Sequence, residues 1–247
     1  ISALLLPMGR LSDIIGRKQI YVGGFVVYII GAGLAGISQD LMPLIMFKVL
    51  QGVGSAMIQG VGVAMIISIF PSEERGKALG AHMSVVGVGA IAGPALGGPL
   101  VDIDWRLVFF VNVPAGLLVI AAAILIIDGK QFDQDGPRPR FDWPGAALSA
   151  GVLITFLLAM TNGPRFGWSS AHIMAGMLSF VVLLISFIWW EFRTPTPMLD
   201  LRLFKRKVFG LGVLAGWISF LGNSPIRFLL PFFLQPIMGY SPSQMGL

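Results

Sequence analysis

The sequence predicts an all-α, polytopic transmembrane helical bundle, and three observations predict it. Charged side chains are scarce: 17 Lys+Arg and 12 Asp+Glu in 247 residues, or 12%, against about 25% in a soluble domain. Hydrophobic residues reach 55% and the mean hydropathy is +0.83. Charges are missing from runs of 19 to 25 residues: 19–39, 49–72, 78–101, 107–127, 143–164, 166–190, 208–226 and 228–247. A helix rises about 1.5 Å per residue, so roughly 20 residues cross the hydrocarbon layer of about 30 Å. In lipid every backbone polar group must be paired internally, which leaves helices or closed barrels. The ten-residue alternation of barrel strands does not occur here.

Taken in order, the elements are a truncated span before Gly9, complete spans near 20–38, 42–70, 78–101, 107–127, 143–161, 170–190 and 208–235, and then the start of another. The connections alternate in charge. Those at 9–19, 71–77, 128–142 and 191–207 hold thirteen of the seventeen Lys and Arg. Those at 39–41, 102–106, 162–169 and 236–247 hold Arg106 and Arg165 alone. The positive-inside rule places the first set in the cytoplasm. The basic balance, a net +5, is thereby an orientation signal and not a nucleic-acid footprint. The longest polar link, Asp128 to Asp142, contains Gly136-Pro-Arg-Pro139 and reads as a turn-rich cytoplasmic connector. Trp105 and Trp143, at span ends, read as interfacial anchors.

Several function classes fall away. Without cysteine there are no disulfides, thiolate metal sites or Cys nucleophiles. His82 and His172 stand far apart in sequence, which argues against a His-based metal or catalytic cluster, and no acid–base constellation lies in the spans or short loops. An enzyme is disfavoured and no cofactor is expected. Gly31-Ala-Gly33-Leu-Ala-Gly36 matches G-x-G-x-x-G, but no short strand precedes it and no acid lies about 20 residues on. Close helix packing is the better reading of these glycines. The chain starts at Ile1 inside an apolar run and ends in Tyr240-Ser-Pro-Ser-Gln-Met-Gly-Leu247, so a piece cut at both ends is expected.

Four stretches carry more specific information. Gly9-Arg-Leu-Ser-Asp13-Ile-Ile-Gly16-Arg17-Lys18 lies at a cytoplasmic turn, where Gly16 permits a tight turn and Asp13 could cap a helix or pair with Arg. This run resembles motif A of the major facilitator superfamily, departing from it at Ser12 and Ile14. The resemblance implies a cytoplasmic latch that serves the outward-open state. Leu44-Ile-Met-Phe-Lys48-Val-Leu-Gln51-Gly52-Val-Gly54 resembles the same family's motif B, with Lys48 where Arg is usual. A charge inside the bilayer costs at least about 2.5–3.5 kcal/mol. The resemblance implies proton coupling for Lys48; snorkelling over about 9 Å to the helix start is the plainer alternative.

Gly80-x8-Gly89-x3-Gly93-Pro94-x2-Gly97-Gly98 puts Gly89, Gly93 and Gly97 on one bare helical stripe, and Pro94 removes a helix hydrogen bond. It resembles motif C, the antiporter motif, at every named position. That implies a gating surface, with static close packing as the alternative. Asp104-Trp105-Arg106-Leu-Val-Phe109-Phe110-Val-Asn112-Val-Pro114-Ala-Gly116 and Phe141-Asp-Trp143-Pro-Gly145-Ala are similar to signatures of the fourteen-span drug:proton antiporters of the EmrB/QacA type. By that register the chain runs from late span 2 to the start of span 10. Residues 1–127 are then part of the N-terminal six-helix bundle, 128–207 a cytoplasmic connector plus two extra central helices, and 208–247 the start of the C-terminal bundle.

Arg227 matches none of these motifs. It lies about 13 Å inside its span, where an Arg faces a wet cavity or a partner. Substrate or ion contact and a structural pair both remain open for it. Together these readings imply an inner-membrane, proton-coupled exporter of hydrophobic or amphiphilic compounds, working by alternating access on the proton gradient. Its partners would be a small-molecule substrate, protons and the lipid bilayer, with a periplasmic adaptor left open and no nucleic acid. A proton-linked importer of a small metabolite and a non-transporting receptor or scaffold are the alternatives; buried Lys48 and Arg227 argue against the scaffold.

Overall fold

A computed structural model describes residues 1–132, 140–234, 237–241 and 244. Among them the chain is all-α, without strands. The helices are α1 (Ser2–Ile15), α2 (Arg17–Gly36), α3 (Leu41–Ile69), α4 (Arg75–Ile103), α5 (Leu107–Phe110), α6 (Asn112–Ile126), α7 (Trp143–Phe166), α8 (Ala171–Arg193) and α9 (Lys207–Leu234). Short 3-10 turns occupy Gly129–Phe132 and Leu201–Lys205.

Six segments are long and apolar enough to cross a membrane: α2, α3, α4, α5 with α6, α7 and α8. The protein is multi-pass. The seventh expected span coincides with α9, whose apolar part within the described residues is Lys207–Gly222. The span expected from 107 to 127 is formed by α5 and α6 together, joined through Val111 in helical backbone conformation.

Local chemistry explains the helix ends. Gly16 separates α1 from α2 with φ 125°, a backbone region that glycine alone enters freely. Phe70 and Thr194 end α3 and α8 in extended conformation, and each precedes a proline, which disfavours the helical region. Asp142 caps α7: its Oδ1 accepts from the Gly145 amide at 3.0 Å, with Pro144 in the first turn.

The chain resolves into two compact units. One comprises Ile1–Val26, Gly52–Met65 and Ala122–Leu201. Its apolar core is Ile20, Val61, Met65 and Phe132, with Leu11, Tyr21, Met57 and Ile127 packed around them. In it α7 and α8 form a hairpin and α7 lies against α1. The other unit comprises Val27–Gln51, Ile66–Ala121 and Arg202–Leu247. Here α2 and α3 meet closely: a Cβ on Gly31 would stand 2.6 Å from the Gln51 backbone nitrogen. A Cβ on Gly36 would stand 2.8 Å from the Phe110 ring. The G-x-G-x-x-G glycines are therefore packing residues on a helix.

Candidate functional site

The turn joining α1 and α2 is an electrostatic knot within the first unit. Asp13 pairs with Arg17 at 3.1 Å, one helical turn on. Of the two roles open to Asp13, the structure takes the Arg pair. A second Arg17 nitrogen donates to the Ala64 carbonyl at 3.2 Å. Lys18 Nζ donates to the carbonyls of Ile124 at 3.1 Å and Ile127 at 2.6 Å, where α6 ends and its last carbonyls have no helical partner. A lysine there satisfies orphan acceptors and the negative end of the helix dipole together. Ser12 is buried and its hydroxyl donates to the Gly9 carbonyl at 2.6 Å. Gly60 lets α3 approach α1, since a Cβ on it would stand 3.1 Å from the Gly9 nitrogen.

Lys48 points into the second unit. Its Nζ donates to Gln51 Oε1 at 3.1 Å and lies 4.4 Å from the centre of the Phe109 ring. The ion pairs found among the described residues, Asp13–Arg17 and Asp104–Arg106, do not include it. An ammonium so placed is held by an amide dipole and a ring quadrupole. Gln51 is itself buried, its backbone against Gly31. Gly52 has room beside it, with Ile1 3.8 Å from a Cβ, while the Gly54 carbonyl lies 3.1 Å from a Cβ on Gly24.

The signature residues around Lys48 each reach a different neighbour. Arg106 donates to the Ser38 carbonyl at 3.3 Å and stacks over Trp105 at 4.6 Å. Trp105 meets Phe109 edge-on at 5.8 Å. Asn112 accepts from the Tyr28 hydroxyl at 3.2 Å and donates to the Val108 carbonyl at 2.7 Å. The motif thus holds the start of the 107–126 span to α2 while its phenylalanine lies beneath a lysine of α3.

Gly80, Gly89, Gly93, Pro94, Gly97 and Gly98 all lie on α4. No described atom comes within 4 Å of a Cβ built on Gly80, Gly89, Gly93 or Gly97, although Gly98 is buried. Static packing against the described residues does not account for this stripe. Arg227 falls on α9, and its side chain lies outside the described residues.

One cluster escaped the sequence reading. Asp142 and Glu191 are both 5% exposed. Asp142 accepts from the Trp190 indole N–H at 2.9 Å. Glu191 accepts from the amides of Met198 at 3.2 Å and Leu199 at 3.1 Å, tying down the link after α8. A Cβ on Gly145 would strike the Asp142 carboxylate and stand 3.2 Å from Glu191 Oε1, so this glycine makes room for two acids. Arg10 of α1 acts on Glu191 electrostatically. The available signal was one acid just before the charge-free run 143–164 and another just after the run 166–190, which span counting discards.

The whole chain, residues 1–247, matches the family model described as Major Facilitator Superfamily. The riboflavin transporter RibZ of Clostridioides difficile is 29% identical over all of this chain and 52% of its own length. The multidrug transporter protein MdtP of Bacillus subtilis is 30% identical over 99% of this chain and 45% of its own. A putative multidrug resistance protein MdtD of Yersinia pestis is 32% identical over 99% and 52%. The chain spans about half the length of the curated relatives it matches.

Proposed function

The chain belongs to the Major Facilitator Superfamily, and from that premise we propose that it is part of an inner-membrane secondary transporter that exchanges protons for hydrophobic or amphiphilic compounds. Relatives named for multidrug transport support the cargo class. The observation that carries the coupling is Lys48, a cation within a span whose described partners are neutral. Such an ammonium can give up its proton without stranding a buried carboxylate. Its protonation state then biases which way the protein opens, because a ligand shifts an equilibrium by its differential affinity for the two states.

The other elements fit around it. Arg17 and Lys18 knit the ends of α3 and α6 to the turn that follows α1, making a rigid cytoplasmic block. The bare face of α4, around Gly89, Gly93, Pro94 and Gly97, is the surface against which a facing helix pivots. Rocking about a midplane cavity is the transport cycle such halves perform. Arg227, one span-embedded cation further on, is a second candidate for substrate or ion contact.

Everted vesicles holding the full-length protein test this reading. Lys48→Met should abolish proton-driven uptake of a lipophilic dye while leaving dye counterflow measurable. Wild-type proton-driven uptake in that variant would refute coupling through Lys48. A second reading, a small-metabolite cargo, is favoured by the relative named as a riboflavin transporter. Proton movement evoked by a flavin but by no lipophilic dye would select it.

A further inference from the structure

The chain between the end of α6 and Leu199 is fastened to α1 and α2 piece by piece. Phe132 is 9% exposed and belongs to the core made with Ile20, Val61 and Met65, so the link that leaves α6 is pinned at once to α2 and α3. Lys18 adds its bonds to the carbonyls of Ile124 and Ile127. Residues 133–139 lie outside the described residues, and beyond them α7 packs on α1. Both ends of the 128–142 link therefore belong to the compact unit that holds Ile1–Val26.

The buried acids carry that attachment past α8. Asp142 ties the start of α7 to the end of α8 through the Trp190 indole. Glu191 meets the Asp142 carboxylate over Gly145 and accepts the amides of Met198 and Leu199. The link after α8 is thereby folded back on the hairpin as far as Leu199. From α1, the half-buried Arg10 brings a positive charge to Glu191. Removing one member of a buried charge pair is costly, because the other is left without compensation. The residues that follow are held elsewhere. The Arg206 amide donates to the Leu203 carbonyl and the Gly210 amide to the Arg206 carbonyl, each at 3.0 Å. The Phe204 ring meets Phe209 edge-on at 5.2 Å. The turn Leu201–Lys205 is thus packed on the start of α9. Attachment to the hairpin ends at Leu199, and attachment to α9 begins at Leu203.

We propose that the α7–α8 hairpin moves with α1 and the α1–α2 turn as one body, and that the hinge between the two rocking halves lies at Asp200–Arg202. Large rotations are absorbed by a few residues at the ends of elements, and these stand between two fastened segments. The longest polar link of the sequence, 128–142, is not that hinge, because one unit holds both of its ends. Glu191, Asp142 and Arg10 are the fastening. The motion rests on the proposed transport cycle; the fastening does not.

Distances between spin labels in the full-length protein, on a cysteine-free background, test both parts. The labels go on exposed positions: Ile15 at the end of α1, Phe192 at the end of α8 and Val208 at the start of α9. Between a proton-loaded state at low pH and a state saturated with a lipophilic dye at high pH, the Ile15–Phe192 distance should hold. The Phe192–Val208 distance should shift by about 5 Å, the scale of one helical turn. An Ile15–Phe192 change as large as that of Phe192–Val208 overturns the proposal. Glu191→Ala should lengthen and broaden the Ile15–Phe192 distribution, as should Arg10→Gln, the milder change should the first variant fold poorly. An unaltered distribution in both variants overturns the fastening. If neither distance responds while dye counterflow persists, the hinge is overturned. If counterflow is absent as well, the transport reading fails, and the Glu191→Ala distribution still decides whether the hairpin is fastened to α1.

Discussion

Glycines on α2 and glycines on α4 sit in opposite surroundings. A side chain on Gly31 would collide with the backbone of Gln51 and one on Gly36 with the Phe110 ring, whereas six glycines of α4 have no described atom within 4 Å of a Cβ. The apolar window of α2 is 33% buried and that of α4 is 6%. The same residue type is used up in packing on one helix and left open on the other. Glycine in a helix interior is less favourable than alanine by about 1 kcal/mol in water. On α2 close approach of backbones offsets that. On α4 nothing among the described residues does.

Substitutions can break this comparison. Gly31→Leu should have the largest effect, because the Gln51 backbone cannot yield: overpacking of about 3 kcal/mol is expected, seen as loss of monodisperse protein and a lowered Tm in detergent. Asp142→Ala removes both the α7 cap and the partner of the Trp190 indole. It should cost about 2 kcal/mol and loosen the hairpin to limited proteolysis, while Asp142→Asn should keep most of the loss at bay. Lys18→Met leaves carbonyls near the end of α6 without a donor. At this partly exposed position the penalty should stay near 1 kcal/mol, and protease cutting in the 128–142 link should rise.

Gly93→Leu should have the smallest effect on stability, within about 0.5 kcal/mol, and yet abolish transport without loss of membrane insertion. Intact transport in that variant would remove the functional reading of the stripe. A large fall in Tm would instead show that α4 is packed as tightly as α2 in the whole protein. Gly93→Ala sharpens the contrast: it should retain stability or improve it, where Gly31→Ala should lower it.

Much of the fold was legible because lipid imposes a simple rule. Charge-free runs of helix length became α2 to α4, the 107–126 segment, α7 and α8. Gly16 was readable as a turn because a positive φ admits few other residues. The candidate site was legible only as a set of positions. Lys48 announced itself by its cost, but Phe109 beneath it did not, since a cation over an aromatic face leaves no spacing signature across sixty residues. Asp142 and Glu191 looked like ordinary ends of spans.

Composition and the order of residues determine that this chain threads a membrane as helices, which connections carry positive charge, and where glycine bares a helix. These follow from the water-to-lipid transfer of each residue and from backbone hydrogen bonds closed within one helix, both local quantities. Which glycines are filled, which carbonyls Lys18 caps and which ring lies beneath Lys48 were decided by packing between helices far apart in the chain. Contacts of that kind depend on side-chain shape and direction across an interface, and no periodicity within one segment encodes them.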